Sequence, residues 1–352
     1  MSVFMIGNLT GCAFGKAQEK KQPLAAEHGE ERTWTDSLGR TLKLSAEIKR
    51  VAVSGTMSQI FVFALAPDLL VGLADRFGAD AGQLLPEKYL KLPVLGQLYG
   101  GKGEISREEL LTVRPDVVID IGEDKPSAAQ ELDDLTKQTG IPFVHISMTT
   151  GSAGEVFRTL GELLCMKEEA ERYAACCDSA FQTMQSVMEK VGENGKERLL
   201  YVTGTEGLNV IAKGSYHAGI IDLIADNVAV VDAPSAKGTG NEVDMEQILL
   251  WDPDYIVLAP NSMVTGLSEK KEWENVSAVK KGLVYKTPAS PYNWMGFPPS
   301  AQTALGMLWL MKLLYPQYAD YDMKEKVTEF YKLFFHCDLT DAQYAELMKE
   351  AL

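Results

Sequence analysis

The chain has 352 residues, 46% hydrophobic and 24% charged, which is enough for two domains or two lobes with separate cores and excludes fibrous and disordered classes. Asp and Glu outnumber Lys and Arg 49 to 34, a formal net charge of -15. Nucleic acid and anionic lipid are therefore disfavoured as partners, and surfaces carrying basic patches are favoured.

The first motif is Leu9-Thr10-Gly11-Cys12, a lipobox match in which small residues let a peptidase reach the bond before a cysteine that then carries lipid. It predicts lipidation at Cys12, followed by a polar tether, Lys16 to Arg32. The apolar run Val3 to Ile6 falls short of the 7 to 15 residues of a signal core and no positive charge precedes it, so the true start is expected upstream. No other stretch approaches the roughly 20 apolar residues of a membrane span. The folded body is expected to be soluble and to meet the membrane only through the lipid. The other cysteines, Cys165, Cys176, Cys177 and Cys337, make no CxxC and no metal-ligand spacing, and read as core thiols.

The body opens on two short alternating runs around a Gly-containing turn, Thr33 to Leu44, which predict a β-hairpin. Strands follow at Arg50 to Val53, Leu69 to Leu73, Asp116 to Ile121 and Pro142 to Ile146, separated by helical patterns. This alternation argues for parallel α/β organisation. It breaks between Gly151 and Gly192, where a shorter helix precedes a long one over Lys167 to Val191 with no interior Gly or Pro. At 1.5 Å per residue such a helix spans roughly 37 Å, suited to a strut between two lobes. Strands then resume at Arg198 to Thr203, Asn227 to Val231, Tyr255 to Ala259 and Leu283 to Thr287, and the chain closes on helices at Pro299 to Leu314 and beyond Asp322. The plan is therefore α/β, with two similar lobes of parallel-rich sheet joined by one long helix: leader and tether 1–32, N-terminal lobe 33–150, connecting helices 151–195, C-terminal lobe with closing helices 196–352.

A repeat at a spacing of 138 residues supports two lobes of similar construction: Glu104 to Ile119 against Glu242 to Val257. Each copy reads as capped helix, Pro-Asp turn and buried strand. Ser106 with Glu109, and Asp244 with Gln247, fit the N-cap and N3 places of a capping box. Glu108 and Glu246 remain without a capping task. Each is either a solvated carboxylate favoured by the helix dipole or a contact for a partner.

These features together resemble the class III substrate-binding proteins of ABC importers, the family of iron-siderophore, haem and vitamin B12 receptors. The resemblance is carried by Thr35 to Arg40, the paired helices with a glutamate seven positions before Pro-Asp (Glu-x6-Pro-Asp), Ala278 to Tyr285, and Pro298-Pro299-Ser300 leading into a helix, spanning about Thr33 to Pro316. It implies a stiff hinge with little domain closure. It also implies that Glu108 and Glu246 dock on arginines of the transmembrane permease, and that the chain is an extracytoplasmic, lipid-anchored monomer.

In open α/β lobes, ligands bind outside the carboxyl ends of the strands. The loops there hold Thr56, Met57, Arg76, Tyr99, Thr205, Tyr216, His217 and Trp294. Tyr99, Tyr216 and Trp294 offer flat faces with a polar edge, suited to a chelate or to packing. Arg76 could pair with an anionic ligand or tie down its loop beside Asp75 and Asp80. His217 could be an axial ligand to a bound haem or cobalt, or satisfy a backbone group. A metal chelate, above all a ferric siderophore, is the expected cargo, with corrinoid, haem or a molybdate-type oxoanion as alternatives of the same fold. No resident cofactor and no catalytic group is expected: His28, His145, His217 and His336 are too scattered for a free-metal receptor, and the Walker A, GxGxxG, GxSxG and HExxH patterns of α/β enzymes are missing.

Overall fold

The computed structural model describes residues 30–99, 104–260, 262, 267, 270–297 and 299–351. The expected hairpin is β1 (Glu31–Thr35) against β2 (Thr41–Ser45), with Trp34 opposite Leu42. Its turn is held by Asp36, whose carboxylate accepts from the Leu38 and Arg40 N–H groups at 3.1 and 3.0 Å. The Arg40 guanidinium reaches both Asp36 at 2.5 Å and the Phe143 carbonyl at 2.7 Å, fastening the turn to the first sheet.

The first lobe runs β3 (Val51–Val53), α1 (Thr56–Leu65), α2 (Glu87–Leu90), α3 (Arg107–Val113), β4 (Val117–Gly122), α4 (Ala128–Thr139) and β5 (Phe143–Ser147). β3, β4 and β5 pair in parallel in that order, and their residues are buried on both faces, as helices on either side require. The strand expected over Leu69 to Leu73 is reduced to single bridges from Leu70 to Val51 and from Leu73 to Val94, because the chain enters it from a tight turn over Pro67–Leu69.

α5 (Ala153–Leu164) then leads into α6 (Lys167–Val191), which has the expected bounds. The second lobe follows as β6 (Arg198–Thr203), β7 (Asn209–Val210), α7 (Gly219–Ile224), β8 (Asp226–Asn227), β9 (Asn241–Glu242), α8 (Met245–Trp251), β10 (Tyr255–Leu258), α9 (Ser277–Lys281) and β11 (Val284–Lys286). It ends with α10 (Thr303–Leu314), α11 (Met323–Phe334) and α12 (Asp341–Met348). β11, β10, β6 and β8 are parallel, while β7 and β9 extend the sheet antiparallel. The strand expected over Asn227 to Val231 stops after two residues. The Asn227 amide bonds the Ile211 carbonyl and Asp222, and its oxygen accepts from the Ala229 N–H, which turns the chain out of the sheet.

Strand alternation divides the core into three. One face of each sheet, with Val51, Val53 and Ile119 from the first and Leu199, Tyr201 and Val257 from the second, joins a single apolar cluster built on α1, α5, α6, α10 and α11. The opposite faces have their own clusters, Val118 and Phe143 with Leu132 in the first lobe and Val202 and Ile256 with Ile248 and Trp273 in the second. The expectation of two separate cores is thus half met. The closing helices, expected with the second lobe, also reach back to the first: α11 packs on α1 and α6, and His336 and Gln343 hydrogen-bond the Phe63 and Gln83 carbonyls.

The repeat is visible in three dimensions. α3 is capped by Ser106, which accepts from the Glu109 N–H, but the return bond of a capping box is missing because the Ser106 N–H is used by the Leu95 carbonyl at 2.7 Å. α8 has the full box between Asp244 and Gln247. Both helices end on a left-handed residue before the proline, Arg114 and Asp252. In both, an arginine at the start of the lobe's first sheet strand clasps the helix C-terminus: Arg50 on the Val113 and Arg114 carbonyls, Arg198 on the Trp251 carbonyl. A cation there satisfies carbonyls that the helix leaves open and opposes the dipole.

α5 meets α6 so closely at Gly161 that a Cβ there would run into the Ala170 Cβ. Gly161→Ala is expected to destabilise the chain by about 1 to 3 kcal/mol through overpacking, read as a lower urea midpoint with unchanged slope.

Candidate functional site: the cleft between the lobes

The carboxyl ends of the two sheets face each other, as the contacts that cross between them demonstrate. Gln59 on α1 donates to the Tyr292 hydroxyl at 2.8 Å, Tyr292 packs on Phe77, and Thr150 lies against Gly219 at the start of α7. Glu123, after β4, lies close enough to Tyr216 of the other lobe to act on its ionisation. Burial, with Glu123 adding to it, pushes the Tyr216 hydroxyl up to about 12, so it stays a neutral donor.

On the first-lobe wall, α1 begins at the end of β3 with Gly55 as its cap, a residue with no side chain to bond the first turn. Thr56 and Met57 open this helix and are partly exposed. An uncapped N-terminus presents backbone N–H groups and a partial positive charge. Tyr99 stands beside it, since the Leu98 N–H bonds the Ser54 carbonyl. The Tyr99 ring is occupied, however: its hydroxyl bonds Glu131 at 2.8 Å and Lys125 Nζ lies 3.7 Å over its centroid. Burial and then the Glu131 bond hold this phenol well above its ordinary range.

Beneath these loops lies a polar chain, buried at Ser54, Asp120 and His145 and open at Asp124 and Ser147, that sequence reading missed. His145 Nδ1 is 2.7 Å from Asp120 and Nε2 3.1 Å from Asp124, Ser54 donates to Asp120, and Ser147 donates to Asp124. Burial works against the imidazolium, but the bonds and charges of Asp120 and Asp124 outweigh it and raise the His145 pKa. An Asp in β4 directly across from a His in β5 was the available signal, because parallel partners share a face.

On the second-lobe wall, His217 stacks on Phe297 at 4.7 Å, and Phe297 stacks on Tyr201 at 5.4 Å. Tyr216 meets the His217 edge. Burial lowers the His217 pKa, with the Gly296 carbonyl opposing, so the ring is neutral near pH 7. Trp294 departs from expectation. It is fully buried in the shared core and pressed against α10 at Gly306, so it offers no face to the cleft. A neighbour in sequence, Phe297, stands in the position expected of it. Thr205 and Arg76 are exposed on their loops, the Arg76 N–H bonding Asp75.

Glu108 and Glu246 are exposed on α3 and α8, and neither has an ion-pair partner among the described residues. Cys12, its tether before residue 30, and Gly100, Gly101 and Pro298 lie outside the described residues. A groove of about 960 Å³ lies away from the strand ends, lined by α6, α10 and α11 residues such as Arg172, Cys176, Lys326 and Glu329. Among the described residues, no helix is long and apolar enough to cross a membrane.

Two α/β lobes facing each other across a cleft, tied by one long helix, define a solute receptor. The chain belongs to the periplasmic binding protein family, which matches residues 69–291. It is a solute-binding protein of an ABC transporter with an extracytoplasmic location and a permease partner, and is not an enzyme. It is 25% identical over 340 residues to the molybdate-binding protein MolA of Haemophilus influenzae, covering 87% of this chain and 91% of that one. Among solved structures, an ABC transporter solute-binding protein from Sulfurospirillum deleyianum superposes with a TM-score of 0.82 at 26% identity over 90% of this chain and 99% of the other. A periplasmic solute-binding protein from Veillonella parvula gives 0.73 at 25% over 92% and 98%.

Because the folded His145 pKa is raised above its ordinary 6.5, its contribution to stability is complete below that value and is lost as pH rises through the folded value. The melting temperature gap between wild type and His145→Gln is therefore expected to be widest below pH 6.5 and to narrow as the pH is raised above it. A gap independent of pH would contradict the charged assignment.

Proposed function

We propose that this chain captures an oxoanion of the molybdate type in the cleft and hands it to the permease through Glu108 and Glu246, while a lipid on Cys12 holds it at the membrane. The observation that carries the ligand class is the similarity to MolA along 87% of the chain. The cleft chemistry supports it. The uncapped start of α1 at Thr56 and Met57 suits an anion, and the exposed Arg76 and the Lys125 ammonium over Tyr99 supply cations beside it. Flat aromatic faces suited to a large chelate are largely taken by neighbours within the protein: Tyr99 by Lys125, His217 and Tyr201 by Phe297, Trp294 by the core.

The metal-chelate reading rests on Tyr216, a partly exposed neutral phenol on the cleft wall, which with Arg76 would suit an anionic ferric chelate. Calorimetric titration with molybdate, tungstate, sulfate, a ferric catecholate, haemin and cobalamin separates the two. Molybdate is expected to bind at micromolar or tighter affinity, and Arg76→Ala to weaken it about tenfold, the value of one charged hydrogen bond. Binding of the ferric catecholate with none of molybdate would replace the oxoanion by the chelate.

For docking, Glu108→Arg combined with Glu246→Arg is expected to abolish stimulation of the reconstituted transporter's ATPase while leaving ligand affinity within about twofold, since like charges across an interface are strongly unfavourable. Unimpaired stimulation would remove these two residues from the interface.

A further inference from the structure

We infer that the docking faces are mixed, each glutamate being paired with exposed leucine one helical turn further on, so that the permease partner must offer at two equivalent places a basic side chain beside an apolar surface. The inference rests on the docking reading above and adds the apolar half of the contact.

Among the described residues six large hydrophobic side chains are exposed, and three of them fall on the two repeat helices: Leu111 at 50% on α3, Leu249 at 41% and Leu250 at 83% on α8. Leu111 and Leu249 are the same position of the repeat, 138 residues apart, as are Glu108 and Glu246. Residues three and four apart share a helix face, so Glu108 with Leu111 and Glu246 with Leu249 and Leu250 form one stripe on each helix. The inward residues are Leu110 and Ile248, both fully buried, so the stripes are not core that happens to show.

Both helices are fixed at each end, by Ser106 or Asp244 at the start and by the Arg50 or Arg198 clasp at the finish. Their lobes share a core, so the two stripes are held at a set separation. A second copy of this chain fits poorly as occupant, because each stripe carries a carboxylate with no ion-pair partner among the described residues, on a chain of net charge -15. A partner with two equivalent basic and apolar patches, as a pair of transmembrane subunits can supply, fits both charge and repeat. The stripes are unequal, with Thr112 standing where α8 has Leu250, so the second lobe should contribute more.

The test measures binding of the full chain to the transmembrane subunits of its own transporter in nanodiscs across a salt series. The variants are Leu249→Ser with Leu250→Ser, Leu111→Ser, and Glu108→Gln with Glu246→Gln. Ligand affinity and melting temperature establish that each is folded. The α8 pair is expected to weaken the complex about tenfold or more at every salt concentration and Leu111→Ser several-fold, because apolar burial is not screened. The glutamate pair is expected to lose most at low salt. If the leucine variants bind within about twofold of wild type while the glutamate variants do not, the apolar half is wrong and the docking reading stands. If neither set matters, both are wrong. Wild-type self-association abolished by the leucine substitutions would also overturn the inference, by assigning the stripes to a second copy.

Discussion

The structure depends on the packing of α6 against α5, α10 and α11 in one apolar cluster that extends into both lobes. Of the 25 residues of α6, those on one face, Ala170, Tyr173, Ala174, Cys177, Ala180, Met184 and Val187, are buried. Several are small, which lets α5 approach at Gly161 and Ala170. Phe157, Tyr173 and Phe334 then fill the junction in mutual contact. Because the inner faces of β3, β4, β6 and β10 drain into the same cluster, opening one lobe against the other would expose apolar surface rather than bend a loop.

That constraint explains why the cleft is built as it is. Lobes packed into one core favour recognition groups that are in place before the ligand arrives. The polar chain from Ser54 through Asp120, His145 and Asp124 to Ser147 stiffens the ends of three strands at once. Opposite it, the Tyr201, Phe297 and His217 stack does the same with rings. The repeat helices α3 and α8 follow the same logic, each clasped at its C-terminus by an arginine at the start of the lobe's first sheet strand.

The strut and the repeat were legible because long periodicity and Pro-Asp turns are local signals. Lys167 to Val191 and Arg198 to Thr203 are recovered with the expected bounds. What was hidden is tertiary. β7 and β9 are two residues each and exist only through pairing with β6 and with each other. Trp294 reads as a loop aromatic, yet its loop folds back on α10 and buries it. The Ser106 box is half made because a distant carbonyl, Leu95, takes the N–H that the local motif would use. His145 looked like one scattered histidine until β4 and β5 were placed side by side.

Native-state hydrogen exchange across a urea series, followed by mass spectrometry, tests the shared core most directly. The strands β4 over Val118 to Ile121 and β10 over Ile256 to Leu258 belong to different lobes, but each turns one face, Ile119 and Ile121 in the first and Val257 in the second, into the same cluster. Their amides are expected to merge into a single opening with one free energy and one urea dependence. Exchange of one sheet at clearly lower urea while the other stays protected would mean that the lobes unfold independently and that α6 is a tether rather than the centre of a common core.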